Sequence, residues 1–165
     1  MADIHPVIGL SLGKTEWVDP SMTPAMNAVK AADAIAAAMT ACRLPKSEWT
    51  HEAHIQAGLS LVLRSGASAA LTTLREAIPR YNLSTNTPNT DSGGYHDTLT
   101  VYYVWAIDEV LREGVSPEDV ADHPLLSRTA PLDFWSRDEL FSVEARYHWM
   151  APTITTGARS PQLPK

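Results

Sequence analysis

Helical punctuation constrains this chain more than any other feature. Apolar residues recur every three to four positions in successive segments, and prolines and glycines divide one segment from the next. Thr23-Pro24 supplies a capping hydroxyl followed by proline at the first helical position. The alanine-rich stretch after it, striped by Met26, Val29, Ala32, Ile35, Ala36 and Met39, predicts a helix to about Arg43, ended by Leu44-Pro45. A second helix is expected from a cap between Ser47 and Thr50 to Ser65, where Gly66 stops it; its stripe is Ile55, Leu59, Val62 and Leu63. A third, from about Ser68 to Ile78, is closed by Pro79. The link between these two is so short that they should form an antiparallel hairpin.

Tyr81 to Gly94 is dense in turn formers, among them Asn82, Asn86, Pro88, Asn89 and Asp91, and reads as an irregular loop. A structureless segment of that length suits either a plain crossover or a functional cover. The next helix, Tyr95 to about Glu113, has so little polar surface that it should be central; Gly114 stops it. Ser116-Pro117 opens a short helix ended by His123-Pro124, and residues 125–133 form a connector. Ser136 and Glu139 have capping-box spacing, and Ser142 to Arg146 continues or restarts that helix. With no alternating strand pattern, repeat or heptad run, the fold class is all-α. The expected form is a compact bundle of four main helices plus short C-terminal helices, with an irregular arm over 1–20, a single helical domain over 21–150 and a loosely held tail over 151–165.

The chain has 165 residues, 44% of them hydrophobic, enough for one domain with a real core. Its net charge of −6 and the absence of a basic run argue against nucleic acid as a partner. No apolar run is long enough to span a bilayer, and residues 1–13 lack the basic start of a signal peptide. The lone Cys42 forms no internal disulfide, so a cytoplasmic setting is expected. Gly9 to Thr15 imitates a phosphate-binding loop, but three residues separate its glycines where four are needed. The alanine-rich first helix would pack as easily on a second copy as within the chain, so a homo-oligomer is compatible.

Chemistry concentrates in two stretches, Trp49-Thr50-His51-Glu52-Ala53-His54-Ile55 and Gly94-Tyr95-His96-Asp97-Thr98. His51 and His54, three apart, share a side of their helix, and His96 begins a later one. The positive end of a helix disfavours imidazolium, so these rings should be neutral, the form that binds a metal or accepts a proton. Three readings compete. His51, His54 and His96 bind a divalent transition metal (Zn, Fe or Mn), with Asp97 or water completing the shell. Alternatively, His51, His54 and His96 act as acid, base and donor groups on a carbonyl or anionic small molecule, with Asp97 orienting. In the third, the rings only satisfy caps and buried polar groups. Trp49, Tyr95, Tyr103 and Arg146 are candidate substrate contacts; Trp49 also suits a staple at the helix start, the tyrosines core positions, and Arg146 surface ion pairs. His5, His123 and His148 read as surface residues.

These motifs, with Ala41-Cys42-Arg43-Leu44-Pro45 before them and Trp135-Ser136, Leu140-Phe141-Ser142 and Ala145-Arg146 after, resemble a family of small uncharacterised bacterial proteins. That family shows Trp-Thr-His-x-x-His-Leu, Gly-Tyr-His-Glu-Thr and a late Tyr-Ser…Leu-Phe-Ser…Ala-Arg segment. The resemblance covers roughly residues 38–150. Here Ile55 replaces leucine, Asp97 glutamate and Trp135 tyrosine, and the shorter Asp97 reaches less far. The resemblance implies that His51, His54 and His96 form one site and implies no reaction. The functional expectation is a small-molecule enzyme of lyase, isomerase or hydrolase type, with a non-catalytic metal- or small-ligand-binding module as the alternative. The loop over 81–94 would cover the site.

Overall fold

The computed structural model describes residues 22–164 apart from 156 and 158; the arm over 1–20 and its phosphate-loop imitation lie outside them. The described residues are helical, with no strand beyond an isolated bridge between Thr90 and Gly93. None of their helices is long and apolar enough to cross a membrane. The principal helices are α1 (Pro24–Thr40), α2 (His51–Ser84) and α3 (Asp97–Arg112). Three 3-10 turns (Val120–Asp122, Pro124–Leu126, Ala130–Asp133) follow, then the short α4 (Arg137–Leu140) and α5 (Val143–Tyr147).

Local chemistry sets most of these boundaries. Thr23 caps α1 by accepting the Met26 N–H, with Pro24 at the first position. Ala32, Ala36 and Met39 form the buried stripe of α1, whereas Met26, expected in it, is exposed. Ser136 and Glu139 complete the expected capping box of α4, and Ser142 caps α5. The helix expected at Ser116-Pro117 is absent: the Ser116 hydroxyl bonds Glu118, and the segment forms only the 3-10 turn at Val120–Asp122.

The α2 segment is two helices joined without a linker at Gly66, whose φ of 79° and ψ of 162° are open only to glycine. A continuous helix would separate residues 49 and 81 by about 50 Å. Instead the rings of Trp49 and Tyr81 are 5.3 Å apart, so the second arm runs back along the first as an antiparallel hairpin. That arm passes through Pro79 to Ser84, six residues beyond the expected stop at Ile78. Proline removes one helical hydrogen bond, but tertiary contacts hold the last turn: Tyr81 donates to the Leu44 carbonyl (3.1 Å) and is fully buried, and Arg80 donates to the Thr40 carbonyl (2.8 Å).

Both α1 and α3 pack against α2. At Gly58 the approach of α3 is so close that an added Cβ would lie 2.8 Å from Ile107 Cδ1. The loop after α2 is fastened. Asn89 donates to the Pro79 carbonyl and, through Oδ1, accepts from the Asn82 amide and the Tyr95 N–H. The described part of the tail is likewise held: Thr153 and Ile154 N–H donate to the Phe134 carbonyl, and Arg159 pairs with Glu113.

Gly66 and Gly94 separate backbone strain from collision. An alanine at Gly66 meets nothing within 4 Å and should cost about 2 kcal/mol of strain. At Gly94, φ is again positive (80°) and the Cβ would also lie 2.6 Å from the Pro88 carbonyl oxygen. Chemical denaturation should therefore show Gly94→Ala losing clearly more stability than Gly66→Ala.

Candidate functional site

The hairpin, α3 and the fastened loop enclose a cavity of about 530 Å³. His51, His54 and His96 all line it, so residues 45 positions apart along the chain meet at one place. Trp49, Tyr95 and Tyr103, named from the sequence as candidate contacts, line it too; Asp97 and Arg146 do not.

Although alike in sequence, the three histidines differ in what their nitrogens do. A carbonyl oxygen can only accept, so each ring–carbonyl contact fixes a tautomer. His54 Nδ1–H donates to the Thr50 carbonyl at 2.6 Å, leaving Nε2 unprotonated and without a partner among the described residues. His51 Nε2–H donates to the Leu126 carbonyl at 2.7 Å, leaving Nδ1 as the acceptor. His96 has both nitrogens engaged: Nε2–H donates to the Leu140 carbonyl at 2.8 Å, and Nδ1 caps α3 by accepting the Leu99 N–H at 3.3 Å.

Burial keeps two of the rings uncharged. His96 is buried, and desolvation pulls its pKa down to about 4, with Arg146 adding repulsion. His54 is held below the ordinary imidazole value mainly by burial; the Thr50 carbonyl opposes this, while His51 and Arg128 add to it. The neutrality expected from helix ends is present at these two rings, but lost hydration is its principal cause.

Trp49 and His54 occupy the positions of a hydrophobic staple around the Thr50 cap, and their rings stack at 3.7 Å. The stack fixes the imidazole plane from one side. Tyr103 meets His51 edge-on at 5.3 Å and donates its hydroxyl to the Ser127 carbonyl. Burial raises the Tyr103 pKa to about 12, so it stays protonated. The remaining wall is aliphatic, built from Leu74, Ile78, Leu99, Val104 and Ile107.

Three expectations change. A three-histidine metal centre does not fit: among the described residues no group of three or more His, Cys, Asp or Glu is arranged to hold a metal, and His96 has no lone pair to give. Asp97 does not orient a histidine. Its carboxylate takes a paired bond from Arg75 Nε and Nη2, both at 2.8 Å, and accepts the Tyr95 hydroxyl at 2.7 Å. This ion pair, between a buried Asp97 and an exposed Arg75, pins the start of α3 to the returning arm of α2, and the Tyr95 bond fixes that ring in the cavity wall. Arg146 is no surface residue. It is buried, and it donates to the Asp91 and Tyr95 carbonyls, holding the loop. With Asn89 and the Tyr147–Asp91 bond also in place, the loop that lends Thr87 and Gly94 to the lining is fastened at several points.

Arg75 and Arg128 were not singled out from the sequence. Arg75 sits on an ordinary helix face and meets Asp97 only through the hairpin. Arg128 lies in the connector before the Ala130–Asp133 turn and carries no motif. Comparison with known protein families, curated proteins and solved structures finds no match for the chain.

Two outcomes follow from the ring assignments. Diethyl pyrocarbonate, which attacks unprotonated imidazole nitrogen, should modify His54 well before His96 when modified peptides are followed by mass spectrometry. For His96, the unfolded chain takes up a proton near pH 6.5 and the folded one only near 4. Its contribution to stability is therefore complete above pH 6.5 and lost as pH falls through that window, by roughly 3 kcal/mol. His96→Asn keeps a capping side chain but does not titrate, so its denaturation midpoint should depend less on pH between 6.5 and 4 than that of the wild type.

Proposed function

We propose that the cavity binds a small organic molecule and that His54 serves as its general base. The observation carrying this reading is the state of His54: a neutral ring, its Nδ1 proton held by Thr50, with an unpartnered Nε2 on a side chain that lines a half-enclosed, largely apolar cavity. In the proposed step the bond between the substrate and its acidic proton breaks, the proton passes to Nε2, and the electron pair stays on the substrate. His51 Nδ1 is a second acceptor on the same lining, while the Tyr103 hydroxyl proton is engaged by the Ser127 carbonyl. His96, Asp97 and Arg75 hold the frame. The Trp49-Thr50-His51 and Gly94-Tyr95-His96 stretches both contribute lining residues, which supports a single site. Under this proposal α1, the two arms of α2 and α3 act as a four-helix scaffold, and proton-transfer reactions of lyase, isomerase or hydrolase type are all served by one such base.

A specific observation favours the second reading, a non-catalytic ligand-binding module: among the described residues no side chain is hydrogen-bonded to His54, so no second group is in line to return a proton. Deuterium exchange separates the two. In D₂O, with 2-oxo acids and arylacetates as carbon acids, the protein should catalyse deuterium uptake beside the carbonyl, seen by proton NMR. His54→Gln should slow that uptake by about 100-fold or more. Binding without exchange would leave the module reading, and exchange unaltered in His54→Gln would remove His54 as the base.

A further inference from the structure

The charge pattern around the cavity indicates what enters it. The chain carries 19 acidic residues against 13 basic ones, yet no Asp or Glu among the described residues lines the cavity. Its one Lys or Arg among the described residues is Arg128, an exposed side chain. Arg128 makes no salt bridge with any described residue, although Asp and Glu outnumber Lys and Arg along the chain. Its charge is felt within the site, where it opposes protonation of His54 and favours ionisation of Tyr103. Behind it the wall has no further full charge: Leu74, Ile78 and Ile107 face the same space.

We infer that the ligand is an amphipathic monocarboxylate, its carboxylate held by Arg128 and its apolar body lying against Leu74, Ile78 and Ile107. This rests on the reading of the cavity as a ligand site and adds the ligand's class. A guanidinium presents paired N–H groups that match the two oxygens of a carboxylate, and its single charge balances a single negative one. A second charge further in would be buried against aliphatic side chains with no partner, which is strongly unfavourable. A cavity of about 530 Å³ has room for an aryl or short alkyl body.

The test is calorimetric titration of the full chain with benzoate, hexanoate, benzamide and inorganic phosphate. Benzoate and hexanoate should bind saturably, benzamide about tenfold more weakly, and phosphate should not displace benzoate. Arg128→Gln, a surface change, should bring benzoate down to the affinity of benzamide, and Arg128→Lys should retain part of the difference. Benzamide binding as tightly as benzoate, an unchanged benzoate affinity in Arg128→Gln, or displacement by phosphate would overturn the monocarboxylate assignment while leaving a ligand site. Binding of none of the four probes would overturn both the assignment and the ligand-site reading beneath it.

Discussion

Everything in this structure depends on the reversal of the chain at Gly66. A single residue with positive φ turns the second arm of α2 back on the first, so Leu74, Ile78 and Asn82 come to lie opposite His54 and Gly58. α3 then packs against the hairpin with the terminal methyl of Ile107 set against Gly58, so a side chain there would require Ile107 to move. The cavity is the volume left open near Trp49 and the Asn89 loop, where aromatic and polar side chains replace small ones. A longer link at residue 66 would let the arms slide, and the ring of Trp49 would lose its place against Tyr81.

Within that frame, three identical side chains have been given different work by the carbonyls they meet. His96 is a structural polar group. It caps α3, ties it to Leu140 and is held neutral by burial. The ion pair of Asp97 with Arg75, joined by Tyr95, fixes the same helix start from the other side. Removing Arg75 would leave the buried Asp97 carboxylate without its charged partner, with only the Tyr95 hydroxyl among these bonds remaining. His51 and His54 each keep one basic nitrogen, in opposite tautomers, on the cavity lining. In our proposal, recognition and chemistry fall on the groups this framework leaves uncommitted, His54 and Arg128 above all.

Signals that act over one helical turn were legible in the sequence. Thr23 and Ser136 cap the helices they were expected to cap, Thr50 is one of the two caps expected for α2, and the hairpin at Gly66 followed from the brevity of its link. The convergence of the Trp49–His54 and Gly94–His96 stretches was expected, and their side chains line one cavity. Pro79 misled because its local penalty is outweighed by the burial of Tyr81 and the bonds of the last turn, which involve residues about 40 positions away. The partners of Asp97 and Arg146 were illegible for the same reason: Arg75 and the Asp91 carbonyl come within reach only after the chain has folded. A histidine ring used as a helix cap has no distinctive spacing, so His96 looked like a ligand.

The central claim is that His54 and His96 are locked in opposite tautomers by different carbonyls, one ring available and the other engaged. Long-range proton–nitrogen correlation NMR of the imidazole rings near pH 7 tests this most directly. The account predicts a protonated Nδ1 and an unprotonated Nε2 for His54, and the reverse for His96, with no tautomer averaging in either. The same tautomer in both rings, or averaged nitrogen shifts at His54, would contradict it.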